Sequence, residues 1–236
     1  MNASAELLTP PGSVDGFELV TVGGVLTLSA AHHPAYGSIC AQWDTADLRR
    51  RIAAGRRQPL ARALGLYKGG AAPLRVVDAT AGLGRDAWVI ASLGARVTLV
   101  ERSPAVAALL ADALHRAHGD PASRTIAQRI SLQISDARRW LANSPTYDAV
   151  YLDPMYPQDG KSALPVKEMQ FLRELTGGDP DAAELLAAAR RCAPRVAVKR
   201  PRHAPPLAKV APDAVVHASR VRFDLYFQPE LKSCFA

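Results

Sequence analysis

Asp153-Pro154-Met155-Tyr156-Pro157 directly follows an apolar run, Ala149-Val150-Tyr151-Leu152, and places a carboxylate, a proline carbonyl and an aromatic ring close together. That set suits one demanding reaction, methylation of an exocyclic amino group on a planar base. Such a nitrogen is a poor nucleophile because its lone pair is delocalised into the ring. Asp153 can accept one N–H and the Pro154 carbonyl the other, which localises the lone pair, while Tyr156 stacks on the base and fixes its plane. In-line methyl transfer then draws its rate from orientation and electrostatics and needs neither a metal nor a covalent intermediate. Proton loss can follow transfer, so Asp153 need not be a strong base. The competing reading is a plain turn after a strand, since Asp-Pro often starts turns.

A second constellation is Asp78-Ala79-Thr80-Ala81-Gly82-Leu83-Gly84-Arg85-Asp86. Open α/β sheets bind ligands at the carboxyl ends of their strands, where glycines let backbone approach the ligand. Gly82-x-Gly84-x-x-Ala87 also satisfies the relaxed dinucleotide pattern, so an NAD-type cofactor competes. Charge separates the two. A dinucleotide sets a pyrophosphate on the helix N-terminus, where Asp78 and Asp86 would repel it. S-adenosylmethionine has no phosphate and presents an ammonium and a sulfonium. Asp78, Thr80, Gly82, Gly84 and Asp86 are therefore expected to line its site, and Asp86 also complements the helix dipole. Glu101 follows 17 residues after Gly84 and is placed to accept from ribose hydroxyls. Ser135-Asp136 can meet the adenine edge or cap the next helix, and both readings stand.

These residues need a scaffold. Phe17–Val22 and Val25–Leu28 read as a hairpin through Gly23-Gly24. Residues 44–66 read as basic helix broken at Gly55 and Pro59, and a boundary is expected near Gly69-Gly70. Strands are then expected at Leu74–Val77, Arg96–Val100, Ile130–Ile134, Ala149–Leu152 and Arg195–Val198, with helices at Arg85–Leu93, Pro104–His118, Ala137–Asn143, 167–175 and 181–192 between them. Ala214–His217 and Val221–Phe227 close the chain as two strands. The expected fold is α/β and Rossmann-like: a seven-stranded, mostly parallel sheet with an antiparallel edge strand, residues 71–236, behind a small α+β extension, residues 1–70.

The chain has 236 residues and a net charge of +7, and two acid-free stretches hold 15 of its 29 basic residues, so the excess is clustered. Such blocks suit a polyanion whose counterions are released on binding, although solvated helix faces have the same composition. Arg50, Arg51, Arg56 and Arg57 in the first stretch are candidate RNA contacts, as are Lys161, Lys167, Lys199, Arg200 and Arg202 around the site. Cys40, Cys192 and Cys234 lack ligand spacing, and His115 and His118 have no third partner nearby, so no metal site is expected. Residues 1–10 lack signal-peptide features and no apolar run spans a bilayer, which points to the cytoplasm.

The chain resembles the small-subunit ribosomal RNA methyltransferase J family. The likeness runs through Val77–Asp86, Leu99–Pro104, Val106–Leu110, Val150–Pro157, Lys161–Leu164, Val198–Pro201, Ala204–Leu207 and Arg222–Asp224. Met155 stands where broader amino-methyltransferases carry a second proline, in agreement with this family. Before residue 70 the family's basic, glycine-rich segment appears as Arg49–Arg57 with fewer glycines. The resemblance implies methylation of N2 of one guanosine in the 3′ terminal region of 16S rRNA, as naked RNA or small subunit. It also implies cofactor contacts at Arg85, Asp86, Glu101, Arg102, Ser135, Asp136 and Asp153. A methyltransferase acting on another RNA or DNA base, or a non-catalytic RNA-binding assembly factor, would share much of this pattern.

Overall fold

Gly23 and Gly24 both take positive φ, 58° and 80°, as a two-residue type I′ turn requires. They join β1 (Phe17–Val22) to β2 (Val25–Ala30) with Val22 opposite Val25. A two-residue strand β3 (Ser38–Ile39) adds to β2 and is too short to show alternation in the sequence. Helix α1 (Ala46–Ala53) starts at Thr45, whose side chain accepts from Leu48 N. Helix α2 (Pro59–Leu64) has proline in its first turn and ends at Gly65 in the left-handed conformation.

The computed structural model describes residues 16–68, 72–145, 147–155 and 167–231. Residues 1–10, Gly69-Gly70, Tyr156 and Lys161 lie outside these. From residue 75 strands and helices alternate: β4 (Arg75–Asp78), α3 (Arg85–Ser92), β5 (Arg96–Glu101), α4 (Pro104–Gly119), α5 (Arg124–Ala127), β6 (Ile130–Ile134), α6 (Ala137–Ala142) and β7 (Ala149–Leu152). Then follow α7 (Lys167–Thr176), α8 (Ala182–Cys192), β8 (Arg195–Pro201), β9 (Ala214–His217) and β10 (Val221–Phe227).

The large sheet has the order β6-β5-β4-β7-β8-β10-β9. Strands β4 to β8 are parallel, and β10 runs against both β8 and β9 to form the antiparallel edge. From β4 the chain moves outward through β5 and β6, then returns to β7 on the other side. The β4–β7 junction is therefore the topological switch point, where open α/β sheets form their binding crevice.

Alternation along each strand feeds two cores. Val76, Val97, Leu99 and Tyr151 pack with Trp88, Ile90, Leu109 and Leu110, and with Leu28, Trp43, Leu48 and Leu64 from the first 66 residues. Val77, Val100, Val150 and Val198 pack on the other face against Leu141, Leu186 and Ala189. The small sheet is tied to α4 as well: Leu26 N donates to Asp112 Oδ2 (3.3 Å), and Arg116 donates to Asp112 (2.7 Å) and to the Ala41 carbonyl (2.6 Å). Among the described residues, no helix is long and apolar enough to cross a membrane.

Candidate cofactor and acceptor site

The carboxyl ends of β4, β5, β6 and β7 surround a cavity of about 390 Å³. Every residue expected to touch the cofactor lines it: Asp78, Thr80, Gly82, Gly84, Arg85, Asp86, Glu101, Arg102, Ser135, Asp136 and Asp153. Gly84 has φ 72°, and a Cβ there would stand 2.9 Å from both Leu110 Cδ2 and Trp43 Cζ2. Trp43 also donates from Nε1 to the Leu83 carbonyl (2.9 Å) and stacks on Trp88 at 4.8 Å, so the loop rests on two indoles. At Gly82, φ 51°, a Cβ would meet only the Thr80 carbonyl within 4 Å, so the backbone there stays open to the cavity.

The Gly82 N–H donates to Glu101 Oε2 (3.1 Å) and the Ser103 N–H to Oε1 (2.8 Å). Burial raises the Glu101 pKa, and these N–H bonds offset part of the rise. Asp78 is raised well above the carboxylate range by burial and by the neighbouring Asp86 charge, against the opposing Thr80 N–H bond. Asp136 caps α6 through Arg138 N (2.8 Å). The bonded Arg138 guanidinium lowers its pKa to about 2.

At the switch point, Asp153 N donates to Thr80 Oγ1 (2.6 Å), tying the two motifs together. Lys199, from β8, bridges Asp153 Oδ2 (2.8 Å) and Asp86 Oδ2 (3.1 Å). Asp86 also accepts from the Tyr151 hydroxyl (2.5 Å) and from Arg51 of α1. Burial alone would raise Asp86, but the Lys199 and Arg51 charges, with the Tyr151 bond, outweigh it and hold it well below the usual range. Burial pushes Asp153 up; Lys199 opposes this and the Asp86 charge adds to it. Burial disfavours the Lys199 ammonium, yet Asp153 and Asp86 more than compensate and keep it charged.

A profile for the family described as "Putative SAM-dependent methyltransferase" matches residues 6–228. A ribosomal RNA small subunit methyltransferase J from Laribacter hongkongensis is 51% identical over 93% of this chain and 78% of its own length. The namesake from Nitrosococcus oceani is 46% identical over 93% of this chain and 88% of its own. The chain belongs to the ribosomal RNA small subunit methyltransferase J family. It is also similar to the crystal structure of a SAM-dependent methyltransferase from Neisseria gonorrhoeae, with TM-score 0.70 and 32% identity over 92% of this chain and 85% of that one. It is a SAM-dependent methyltransferase with the Rossmann-like fold of that class.

In this methyltransferase the arginines around the cavity are already engaged. Arg85 forms a bidentate pair with Glu168 of α7 (2.6 and 2.8 Å). Arg102 pairs with Asp179 and Asp181 (3.1 Å each) and donates to the Gly178 carbonyl. Arg138 pairs with Asp181 (3.1 Å), and Met155 N donates to Asp179 Oδ2 (2.6 Å). Arg85 and Arg102, expected as cofactor contacts, thus also clasp α7 and residues 177–181 against the cavity. Sequence reasoning missed Glu168, Asp179 and Asp181 because they stand 77 to 83 positions from Arg85 and Arg102.

Three expected RNA contacts are placed where their charge is already engaged. Arg200 is 4% exposed and donates to the Pro205 carbonyl (3.0 Å), so it is covered. Arg51 and Lys199 line the cavity and are paired with its carboxylates, which leaves them no free outward charge. Arg50, Arg56, Arg57, Lys167 and Arg202 are exposed. Arg56 donates to the Leu93 carbonyl (3.1 Å) and Arg50 stands 3.7 Å from Asp47.

Proposed function

We propose that this SAM-dependent methyltransferase methylates the exocyclic N2 of one guanosine in the 3′ terminal region of 16S rRNA, in the cytoplasm. The observation that carries this reading is Asp153, whose backbone is bonded to the glycine loop and whose carboxylate is held by Lys199 in the same cavity. The substrate RNA follows from the named relatives, which are ribosomal RNA small subunit methyltransferases. The base and position follow from the resemblance of the motifs.

The cavity fits the cofactor in size and charge. Its volume lies within the usual range for small-molecule sites. Nine acidic and five cationic side chains line it in a protein of net charge +7; even with Asp78 held toward its neutral form, this surplus of acid suits an ammonium and a sulfonium and opposes a pyrophosphate. Thr80, Gly82, Glu101, Ser135 and Asp136 would hold S-adenosylmethionine, which supplies an electrophilic methyl group. Asp153 and the Pro154 carbonyl accept the two amino hydrogens of guanine, and Tyr156 stacks on the ring. Lys199 orients Asp153 and stabilises it as a carboxylate, and Asp86 holds Lys199 in turn. Arg50, Arg56, Arg57, Lys161, Lys167 and Arg202 contact RNA phosphates, with docking on naked 16S rRNA or the small subunit.

The test is mass-spectrometric mapping of rRNA from cells with and without the gene. One N2-methylguanosine should vanish and return with the wild-type gene, but not with Asp153→Ala. Full methylation by Asp153→Ala would refute the assignment of that carboxylate. Salt-sensitive RNA binding by wild type with no methyl transfer would instead mark an assembly factor.

A further inference from the structure

Strands β4 and β5 each begin with an arginine and a third, Arg129, immediately precedes β6, all at the end of the sheet opposite the cofactor cavity. Arg75 pairs in register with Arg96, and Val97 N donates to the Arg129 carbonyl (2.8 Å), which sets Arg129 beside Arg96. With neighbouring strands about 4.8 Å apart, the row is roughly 10 Å long. The three residues line a groove of about 240 Å³ with Thr98, Ser131 and Tyr147.

The groove's charge is the reverse of the cofactor cavity's. Among the described residues, no carboxylate lines it. Among the same residues none of the three arginines forms an ion pair, whereas Arg85, Arg102, Arg116, Arg138 and Arg222 all do. Asp148, next to Tyr147, turns its Oδ2 to the Arg75 backbone N–H (2.6 Å). Two of the arginines are nonetheless held in place: Arg75 lies over the Tyr147 ring at 4.7 Å, and Arg129 donates to the Ala91 carbonyl (3.3 Å). Hydroxyls of Thr98 and Ser131, bonded to each other at 3.3 Å, supply further polar partners.

We propose that this groove binds the sugar-phosphate backbone of the RNA substrate, as a second contact remote from methyl transfer. A single small anion would use one or two of the guanidinium groups, while a row of three matches consecutive phosphates along a strand. The six residues of β5, Arg96–Glu101, separate the groove from the cavity by roughly 17 Å. RNA bound at both points is held in a fixed register, which selects the base presented to Asp153. This rests on the proposed RNA substrate.

The test compares wild type, Arg96→Gln/Arg129→Gln and Arg96→Lys/Arg129→Lys, with binding to small ribosomal subunits or 16S rRNA measured across salt concentrations, together with methyl-transfer kinetics. The glutamine variant should lower the slope of log K against log salt by about 1.5 to 2. It should raise KM for RNA about tenfold and leave KM for S-adenosylmethionine and kcat unchanged. The lysine variant should keep the wild-type slope. An unchanged slope and KM in the glutamine variant overturns the groove while the proposed function stands. Wild type that binds RNA with the arginine-dependent slope yet methylates no base overturns the proposed function and keeps the groove.

Discussion

Lys199→Met keeps an unbranched side chain at the cavity wall and removes the ammonium that stands 2.8 Å from Asp153 and 3.1 Å from Asp86. Two carboxylates would then face each other without a shared cation. Burial and the Asp86 charge already raise the Asp153 pKa against the pull of Lys199, so its loss raises that pKa further. A hydrogen bond between charged groups contributes about 1.5–3 kcal/mol. The Lys199 and Asp153 side chains are 28% and 39% exposed, so solvent screening reduces this to about 1–2 kcal/mol. That corresponds to a rise of about one pH unit in the acid limb of kcat/KM. The sign follows from the role: protonated Asp153 cannot accept the amino hydrogen, so a higher pKa moves the limb to higher pH. Initial rates of methyl transfer to small subunits, from about pH 5 to pH 9, would measure it. On the acid side the variant should be about tenfold slower, while Lys199→Arg, which keeps the charge, should move the limb less. An acid limb identical to wild type in Lys199→Met would refute the bridge as the device that holds Asp153 ionised.

Asp86→Asn should cost about 2–3 kcal/mol of stability at neutral pH, because Arg51 and Lys199 lose a buried partner. Its folded pKa lies below the unfolded value, so this contribution is present above about pH 4 and fades as pH falls; denaturant titrations showing the same gap at low pH would contradict the argument. Gly84→Ala should lower stability by about 2–4 kcal/mol, from the positive φ and the clash with Trp43 and Leu110. Thermal unfolding tests this, and an unchanged Tm would show that the loop relaxes freely. Arg102→Met and the pair Asp179→Asn/Asp181→Asn break the same clasp, so each should raise KM for S-adenosylmethionine by a similar factor, about tenfold. An increase confined to Arg102→Met in cofactor titrations would assign Arg102 to direct contact instead.

The large sheet is legible in the sequence because its strands are short apolar runs bounded by turn signals, as in Ala149–Leu152 between Asp148 and Asp153. The single-turn helix α5 and the two-residue β3 are too short to carry a period, and no sequence pattern marks either. In the site, residues adjacent to strand ends can be found because the switch-point rule says where to look. Their partners cannot. Tyr151 belongs by pattern to an apolar strand, yet its hydroxyl donates to Asp86, a contact set by the approach of α3 to β7. Lys199 stands out in the sequence for the wrong reason, since charge alone does not tell an inward-facing lysine from an outward one. Arg51 misleads likewise, because only tertiary packing brings α1 beside the N-terminus of α3.

The stacked pair beneath the glycine loop has an optical consequence. The protein has three tryptophans, and two of them, Trp43 and Trp88, touch each other, with Trp43 bonded to the Leu83 carbonyl. Trp140 stands apart on the other face of the sheet, beside Tyr147. A displacement of the loop disturbs the contact between the first two indoles and leaves the third alone. Intrinsic fluorescence is therefore a built-in gauge of the loop's state, readable without a label, and Trp140→Phe would leave it reporting from that place alone.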